Sequence, residues 1–258
     1  MNRDFKLFLG SFKCIRTVAF GVFLIIVWEM ACRIFNVSDY LLPSPSTIFF
    51  EVGKNISYLS YHLAMTILEA IIGLVIATIT GFILACIFVY FNNIENLMLP
   101  YFVASQSIPI VAIAPLFILW FGNGLASKIA MATLMCFFPI TVSTSRGLRL
   151  VSTEQIDLFR VHAATRWKIF TKLRLPVAIG QIFTGIRVSS ALAMIGAIVA
   201  EYSGADRGIG YVIMQSTYRL ETPLLFSGII LTCLFGFMFF LFVVFVESFF
   251  LKKYIKCY

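Results

Sequence analysis

Two ionisable residues, Glu69 and Arg187, stand within long apolar runs of this sequence. A charge at the middle of a bilayer costs about 2.5–3.5 kcal/mol on insertion scales, so it usually has a partner or a function. At about 1.5 Å per helical residue, the two side chains would lie at depths that differ by about 4 Å. We therefore predict an intramembrane ion pair between Glu69 and Arg187. The alternatives are that Arg187 faces a path for an anionic solute, or that it snorkels to the membrane surface or makes another interhelical contact.

A proline-containing stretch, ASQSIP at 104–109, brings further polar groups to the start of another apolar run. Its proline lacks an N–H group and so frees a backbone carbonyl, and transporters use such breaks to expose polar backbone to a solute cavity. Hydrogen bonding within the helix is the alternative use of these side chains. The predicted translocation path comprises these residues and polar residues of the run around Arg187: Ser105, Gln106, Ser107, Pro109, Arg187, Ser189 and Ser190.

Small residues recur along this last run at steps of three or four. They are Gly185, Ser189, Ala193, Gly196 and Ala200. Such a strip lets helices approach closely. It suits either a cavity or dimer seam, or ordinary packing within one bundle.

These side chains require membrane-spanning elements, and the composition supplies them. Of the 258 residues, 60% are hydrophobic and 12% charged, which indicates a membrane protein. Runs of about 20 apolar residues cross about 30 Å of hydrocarbon as helices. Six qualify, at about 17–36, 63–91, 100–121, 125–145, 177–201 and 223–250. We predict an all-α polytopic membrane protein with six transmembrane helices, forming a single domain over residues 1–258.

The basic residues predict the orientation. The net charge is +8, and the loop at 146–176 carries the largest group of Lys and Arg, so both termini are predicted to be cytoplasmic by the positive-inside rule. The loop at 91–100 is an exception, because it should also be cytoplasmic but contains Glu95 and no basic residue. No soluble domain combines basic and aromatic residues on one face, so we predict no nucleic-acid partner.

Cysteine and histidine usage predicts neither a metal site nor a disulfide framework. The six cysteines are scattered, and His62 and His162 stand far apart. No histidine falls inside a predicted span, and the aspartates lie outside the spans, so no catalytic residues are predicted. A membrane-embedded enzyme or a channel with a basic cytoplasmic loop remains the alternative class.

The basic loop at 146–176 is patterned as two short helices. Ser152 with Gln155 makes a capping box for a helix that ends near Val161, Thr165 is a second cap, and Pro176 falls in the first turn of the fifth span. Helices shorter than about 12 residues are marginal alone in water. The loop therefore needs a surface to pack against, either anionic lipid or a cytoplasmic partner.

The spacing within this loop resembles the membrane subunits of bacterial ABC importers that depend on a substrate-binding protein. Their loop carries Glu-Ala-Ala, three residues, Gly, nine residues and Ile-x-Leu-Pro. This chain has Asp157, Leu158, Phe159, Ala163, Leu173, Leu175 and Pro176 at that spacing. Identity is kept only at Leu-Pro, and an alanine replaces the glycine whose conformational freedom serves the turn.

Three other stretches resemble the branch of this family that imports nitrate, taurine, sulfonates and vitamin precursors. They are LLPSPSTI (41–48), SIPIVAIAPLFILWFGNGLASKI (107–129) and IGAIVAEYSGADRGIGYVI (195–213). GADRGIGYVI and LETPLLF (220–226) resemble most the subgroup linked to thiamine-pyrimidine or riboflavin uptake.

The resemblance implies a permease subunit in a bacterial cytoplasmic (inner) membrane, in contact with lipid. Implied partners are two ATP-binding cassette ATPase subunits, an extracytoplasmic substrate-binding protein and a second copy of this chain. ATP and Mg would be bound by the ATPase, so this chain is predicted to hold no cofactor and to be no enzyme, and it contains no Walker A motif. The implied ATPase-docking residues are Asp157, Leu158, Phe159, Arg160, Ala163, Arg166, Leu173, Leu175 and Pro176.

Overall fold

The computed structural model describes the backbone of residues 3–255, and side-chain surroundings for residue 16 and for residues 19–91 and 93–250. Over the described backbone the chain is helical and contains no strand. The helices are α1 (Arg3–Ile34), α2 (Pro45–Lys54), α3 (Ile56–Tyr90), α4 (Asn92–Ser105), α5 (Ile110–Phe121), α6 (Leu125–Leu148), α7 (Thr153–Val161), α8 (Arg166–Ile169), α9 (Leu175–Tyr202), α10 (Ile209–Arg219) and α11 (Thr222–Ile255).

Two compact units make up the chain. The first comprises Met1–Leu59 and Val212–Ile229, and the second comprises Ser60–Tyr211 and Ile230–Tyr258. The sequence-based expectation that residues 1–258 form a single domain stays a prediction.

In the first unit, α2 is a short amphipathic helix. Ser44 caps it by accepting a hydrogen bond from the Thr47 N–H. Ile48 is buried and its carbonyl accepts a hydrogen bond from the Ser227 hydroxyl, whereas Phe49 and Phe50 are exposed. This pattern suits a helix that lies at a membrane interface.

Among the described residues, four helical stretches are long and apolar enough to cross a membrane: Ile56–Tyr90, Leu125–Leu148, Arg166–Tyr202 and Thr222–Phe250. They correspond to the second, fourth, fifth and sixth predicted spans. The first predicted span falls on α1, part of which lies outside the described side chains. The count of six crossings therefore stays a prediction.

The third predicted span is not a single helix. It is divided into α4 and α5, whose axes are bent by 103° across a break of four residues. Pro109 stands at this break and caps α5. Because proline cannot continue the backbone hydrogen bonding of a helix, the apolar run folds as a broken span or a re-entrant pair.

The core of the second unit lies where α3, α6 and α9 meet through small residues. A Cβ atom at Gly73 would lie 2.6 Å from Ala132 Cβ, and one at Gly196 would lie 2.8 Å from Ala132 Cα. Ala193 and Ala197 are fully buried in the same core. Of the two interpretations of the small-residue strip, packing within one bundle is confirmed for the described chain.

The segment between α6 and α9 confirms the capping predictions. Ser152 and Gln155 form a capping box at α7, and Thr165 caps α8. The prediction of two separate short helices is wrong, because α8 continues through a π turn, Phe170–Arg174, into α9. Pro176 lies in the first turn of α9, and the wider turn before it accommodates the missing N–H.

Candidate translocation and coupling site

A cavity of about 800 Å³ lies in the second unit, beside the break between α4 and α5. The predicted path residues Ser105, Gln106, Ser107 and Pro109 all line it. The opposite wall comes from α6, with Met135 and a pair of phenylalanines among its contributions. The break that proline produces therefore brings polar residues to the wall of a cavity, and their role in a translocation path stays a prediction.

The wall of the cavity combines aromatic rings with neutral polar groups. Its rings include those of Tyr101, Phe102, Phe137 and Phe138, and no Asp, Glu, Lys or Arg residue lines it. Ser105 donates a hydrogen bond from its hydroxyl to the Phe102 carbonyl over 2.8 Å, so its acceptor lone pairs stay available. Such a wall suits a ligand with a flat π-system and a few hydrogen-bonding groups.

The predicted ion pair between Glu69 and Arg187 is wrong. Arg187 pairs instead with Glu247 of α11, with 3.1 Å between Nε and Oε2, and it also donates to the Thr184 hydroxyl. The helical rise per residue fixes the level of each residue in the membrane but not the side of the helix from which its side chain extends. Glu247, an acid within the last apolar run, was the available signal.

Three predicted path residues do not line this cavity, and their place on a translocation path stays a prediction. Arg187 is held by Glu247, and Ser189 donates to the Cys136 carbonyl inside the interface between α9 and α6. Ser190 donates to the Arg187 carbonyl on its own helix and is fully buried. The two serine hydroxyls donate to backbone carbonyls within or between helices. The sequence alone could not distinguish this use from lining a solute path.

Glu69 belongs to a buried polar cluster with Glu201. Both residues are at most 1% exposed and their carboxyl groups lie close enough to interact electrostatically, while Glu69 Oε2 has no hydrogen-bond partner among the described residues. Lys128 is buried nearby, and its ammonium group donates to the backbone and side chain of Asn123 over 2.6 and 2.9 Å. The described part of the chain offers no group of three metal-ligating side chains.

Side chains of this cluster cap the N-terminus of α10. The Gly208 N–H donates to His62 Nδ1 over 3.0 Å, and the Ile209 N–H donates to the Thr66 hydroxyl over 2.9 Å. The Gly210 N–H donates to Glu201 over 2.7 Å. The first N–H groups of a helix have no intrahelical partners, and they favour a carboxyl group beside them. The cap therefore accounts for an acid buried at the end of α9.

Sequence reasoning missed this cap. His62 was placed outside the spans, whereas it lies within α3 and is buried. Gly208 adopts φ 105, and a Cβ atom there would lie 2.1 Å from Glu201 Cδ, so the backbone approach requires glycine. The signal available in the sequence was an acid followed by closely spaced glycines after an apolar run.

The basic segment has a small core of its own. Val151, Ile169 and Leu173 are buried, and Phe159 packs against them. The outer surface of α7 carries Leu158, which is 59% exposed. Of the predicted docking residues, Leu173 is thus turned into this core and does not reach a partner directly.

The remaining docking residues lie at or near the surface. Asp157 and Arg160 are exposed and form an ion pair of 3.0 Å, and Arg166 is exposed at the start of α8. The last two, Leu175 and Pro176, are half-buried. Ala163, at the position of the family's glycine, is exposed and adopts φ 53. It therefore keeps the turn that the glycine serves, in a conformation that costs a side-chain-bearing residue about 1–2 kcal/mol.

The broken span, the cavity beside it and the exposed segment between two apolar helices define an all-α polytopic membrane transport subunit. Residues 73–252 match the family described as "Binding-protein-dependent transport system inner membrane component". The chain belongs to this family and is a permease subunit of an ABC importer. Accordingly, it is a multi-pass membrane protein and a transporter subunit.

Individual relatives cover most of the chain. It is 34% identical over 227 residues to the formylaminopyrimidine transport permease protein ThiX of Halalkalibacterium halodurans, covering 88% of this chain and 90% of the relative. It is 31% identical over 208 residues to the riboflavin transport system permease protein RibX of Chloroflexus aurantiacus, covering 80% and 78%. A crystal structure of an amino acid ABC transporter with histidines shares the fold, with a TM-score of 0.60 and 17% identity, over 80% of this chain and 98% of that one.

Proposed function

We propose that this chain forms the membrane path of an ATP-driven importer for a small, neutral aromatic solute, with a formylaminopyrimidine as the first candidate. The observation that carries the proposal is the cavity wall, which holds aromatic rings, an amide and hydroxyls but no charged residue. The similarity to a formylaminopyrimidine permease supports the same class of solute.

A solute with an anionic group, such as a sulfonate, nitrate or the zwitterion taurine, fits this wall less well. Transfer of an anion into a water-poor cavity requires a compensating cation or several N–H donors. Arg187, the arginine that the sequence offered for this task, is engaged with Glu247. A heteroaromatic ring can instead stack on Phe102, Phe137 or Phe138, while Gln106 hydrogen-bonds its polar edge.

The proposed assembly comprises two copies of this chain, two cytoplasmic ATPase subunits and an extracytoplasmic substrate-binding protein. In it, ATP and Mg are bound by the ATPase, and α7 docks on that subunit by its exposed apolar side chains. Leu158 and Val161 on α7 are exposed by 59 and 83%, and Trp167 on the adjoining α8 is exposed by 72%, which is unusual for apolar residues in an aqueous loop. Hydrolysis then alternates the access of the cavity between the two sides, with both termini of the chain cytoplasmic.

Uptake by the reconstituted complex tests this function. Proteoliposomes containing this chain, its ATPase and its binding protein are expected to accumulate labelled formylaminopyrimidine when ATP is enclosed. Accumulation of taurine or an alkane sulfonate with no uptake of the pyrimidine would overturn the solute class. Failure of any ATP-hydrolysing subunit to purify with the chain would overturn the assembly.

The variant Gln106→Ala tests recognition of the solute separately from binding of the ATPase. This variant removes an amide from the cavity wall, so uptake should fall while the ATPase remains bound. Ser46→Ala, on α2 in the first unit, is the matched polar-to-alanine control and should transport like the parent chain.

A further inference from the structure

Arg149, the C-cap residue of α6, joins three helices at the start of the basic segment. Its Nη2 donates to the carbonyl oxygen of Phe88, near the end of α3, over 2.9 Å. The same guanidinium forms an ion pair with Glu95, in the first turn of α4. Ser145, one turn earlier on α6, also reaches the Glu95 carboxylate over 3.5 Å.

The ion pair between Arg149 and Glu95 explains how the loop at 91–100 can carry an acid and no basic residue of its own. Glu95 stands in a loop without any Lys or Arg, and Arg149 supplies the missing positive charge from a neighbouring helix. The carbonyls of the last helical turn lack intrahelical partners, and acids are favoured in the first turn of a helix. One guanidinium therefore holds both the C-terminus of α3 and the N-terminus of α4.

From this point a row of aromatic rings leads to the cavity. The ring of Phe88 meets that of Phe102 edge to face, with centroids 6.0 Å apart. Phe102 in turn contacts Phe137 and Phe138, at centroid distances of 5.7 and 5.9 Å. Phe102 lines the cavity together with Phe137 and Phe138. The helix α4 itself carries Glu95 at one end and Ser105 at the other, about 15 Å further along.

In the opposite direction, Arg149 is tied to α7. Val151, two residues later, is buried in the small core against Ile169 and Leu173. The N-cap of α7, Ser152, follows directly. A displacement of α7 therefore reaches Arg149 through a short and packed stretch of chain.

We propose that Arg149 is a positioning residue that transmits movement of α7 to α4, so that the polar wall of the cavity follows the state of the ATPase. This inference rests on the proposed docking of α7. The pair is partly exposed, with 39% of the Arg149 side chain and 21% of the Glu95 side chain accessible, so it contributes little to stability. Removal of the ion pair should leave the chain folded and should stop movement of α7 from reaching α4.

The labelling rate of a cysteine at the cavity provides the test. Ser105→Cys is introduced into the full complex, and its reaction with a thiol reagent is compared without nucleotide and with ATP and vanadate. With Arg149 intact, the rate should change at least about fivefold between the two states, within the usual range of allosteric coupling. With Arg149→Ala, this dependence should disappear while the ATPase stays bound and still hydrolyses ATP.

Two further variants keep the outcome decisive if Arg149→Ala folds poorly. Arg149→Lys retains the positive charge and should retain part of the effect of nucleotide on the labelling rate. Glu95→Gln should reduce that effect. Arg33→Ala removes the arginine of an exposed pair with Glu29 on α1 and should leave the dependence unchanged.

Three results would overturn the proposal. They are a Ser105→Cys rate that nucleotide leaves unchanged in the parent complex, an Arg149→Ala complex that keeps the full dependence, and loss of the ATPase from Arg149→Ala. Uptake of formylaminopyrimidine is a separate measurement, so an error in the proposed solute would not be mistaken for an error in the role of Arg149.

Discussion

At the scale of single residues, two ionisable side chains inside the second unit, Arg187 and Glu201, are satisfied by other parts of the chain. Arg187 forms an ion pair with Glu247, and Glu201 accepts a hydrogen bond from an N–H group at the N-terminus of α10. A charge removed from water needs both a counter-charge and hydrogen bonds, and these pairings supply them. What distinguishes the cavity is that its polar residues carry no charge.

The partner of Arg187 can be tested by charge exchange. Arg187→Glu alone should lower the stability of the detergent-solubilised chain by at least about 2 kcal/mol, because two acids then face each other. The double variant Arg187→Glu with Glu247→Arg should recover much of this loss in thermal unfolding. The exchange of Arg187 with Glu69 serves as the control, and recovery in that variant would contradict the observed pairing.

The glycine at the α10 cap should tolerate no side chain. Gly208→Ala places a methyl group on the Glu201 carboxyl and strains a backbone at φ 105, so we expect a loss of about 3 kcal/mol or more in thermal unfolding. Gly180→Ala is the matched control, because a Cβ atom there would meet nothing within 4 Å. Equal behaviour of the two variants would show that the cap is not as close as described.

At the scale of helices, the sequence predicted what local chemistry determines. The capping box at Ser152 and the cap at Thr165 depend on residues three positions apart, and both are confirmed. The third span is divided into two helices at Pro109. A proline predicts a break in a helix but not the angle of that break, so the bend of 103° could not be predicted from the sequence. The continuity of α8 with α9 was likewise missed, since a π turn leaves no distinctive residue pattern.

The turn between α7 and α8 should be improved by restoring glycine. Ala163→Gly relieves a left-handed conformation and should stabilise the packing of α7 by about 0.5–1 kcal/mol. Slower hydrogen exchange of the α7 amides would report the gain. Ala164→Gly, at the next position and without a positive φ, should instead speed this exchange.

At the scale of the whole molecule, the sequence predicted a helical membrane protein and its family, but not which long-range contacts form its sites. Long apolar runs predict helices, whereas the partners of Glu69, Glu201 and Arg187 depend on how the helices are rotated about their axes. Hydrophobicity has nearly the same value on every side of these helices, so it gives little information about rotation.

The orientation of the chain can be measured with two engineered cysteines in a background without native ones. Val161→Cys on α7 should react with a membrane-impermeant maleimide only after the cytoplasmic side is opened. Phe49→Cys on α2 should react in intact spheroplasts. Reaction of Val161→Cys from outside would invert the predicted topology and remove the basis for ATPase docking.

The contact of Gly73 and Gly196 with Ala132 also limits how the transporter can change shape. At these points the glycines lie directly against Ala132, and a Cβ atom at Gly196 would also lie 3.1 Å from Met135 Cγ, so little space remains for the helices to slide. We expect α3, α6 and α9 to travel as one rigid body through a transport cycle. The hinge is then the short stretch around Pro109, where the residues between α4 and α5 make only turn hydrogen bonds to the third residue before them and can absorb the rotation.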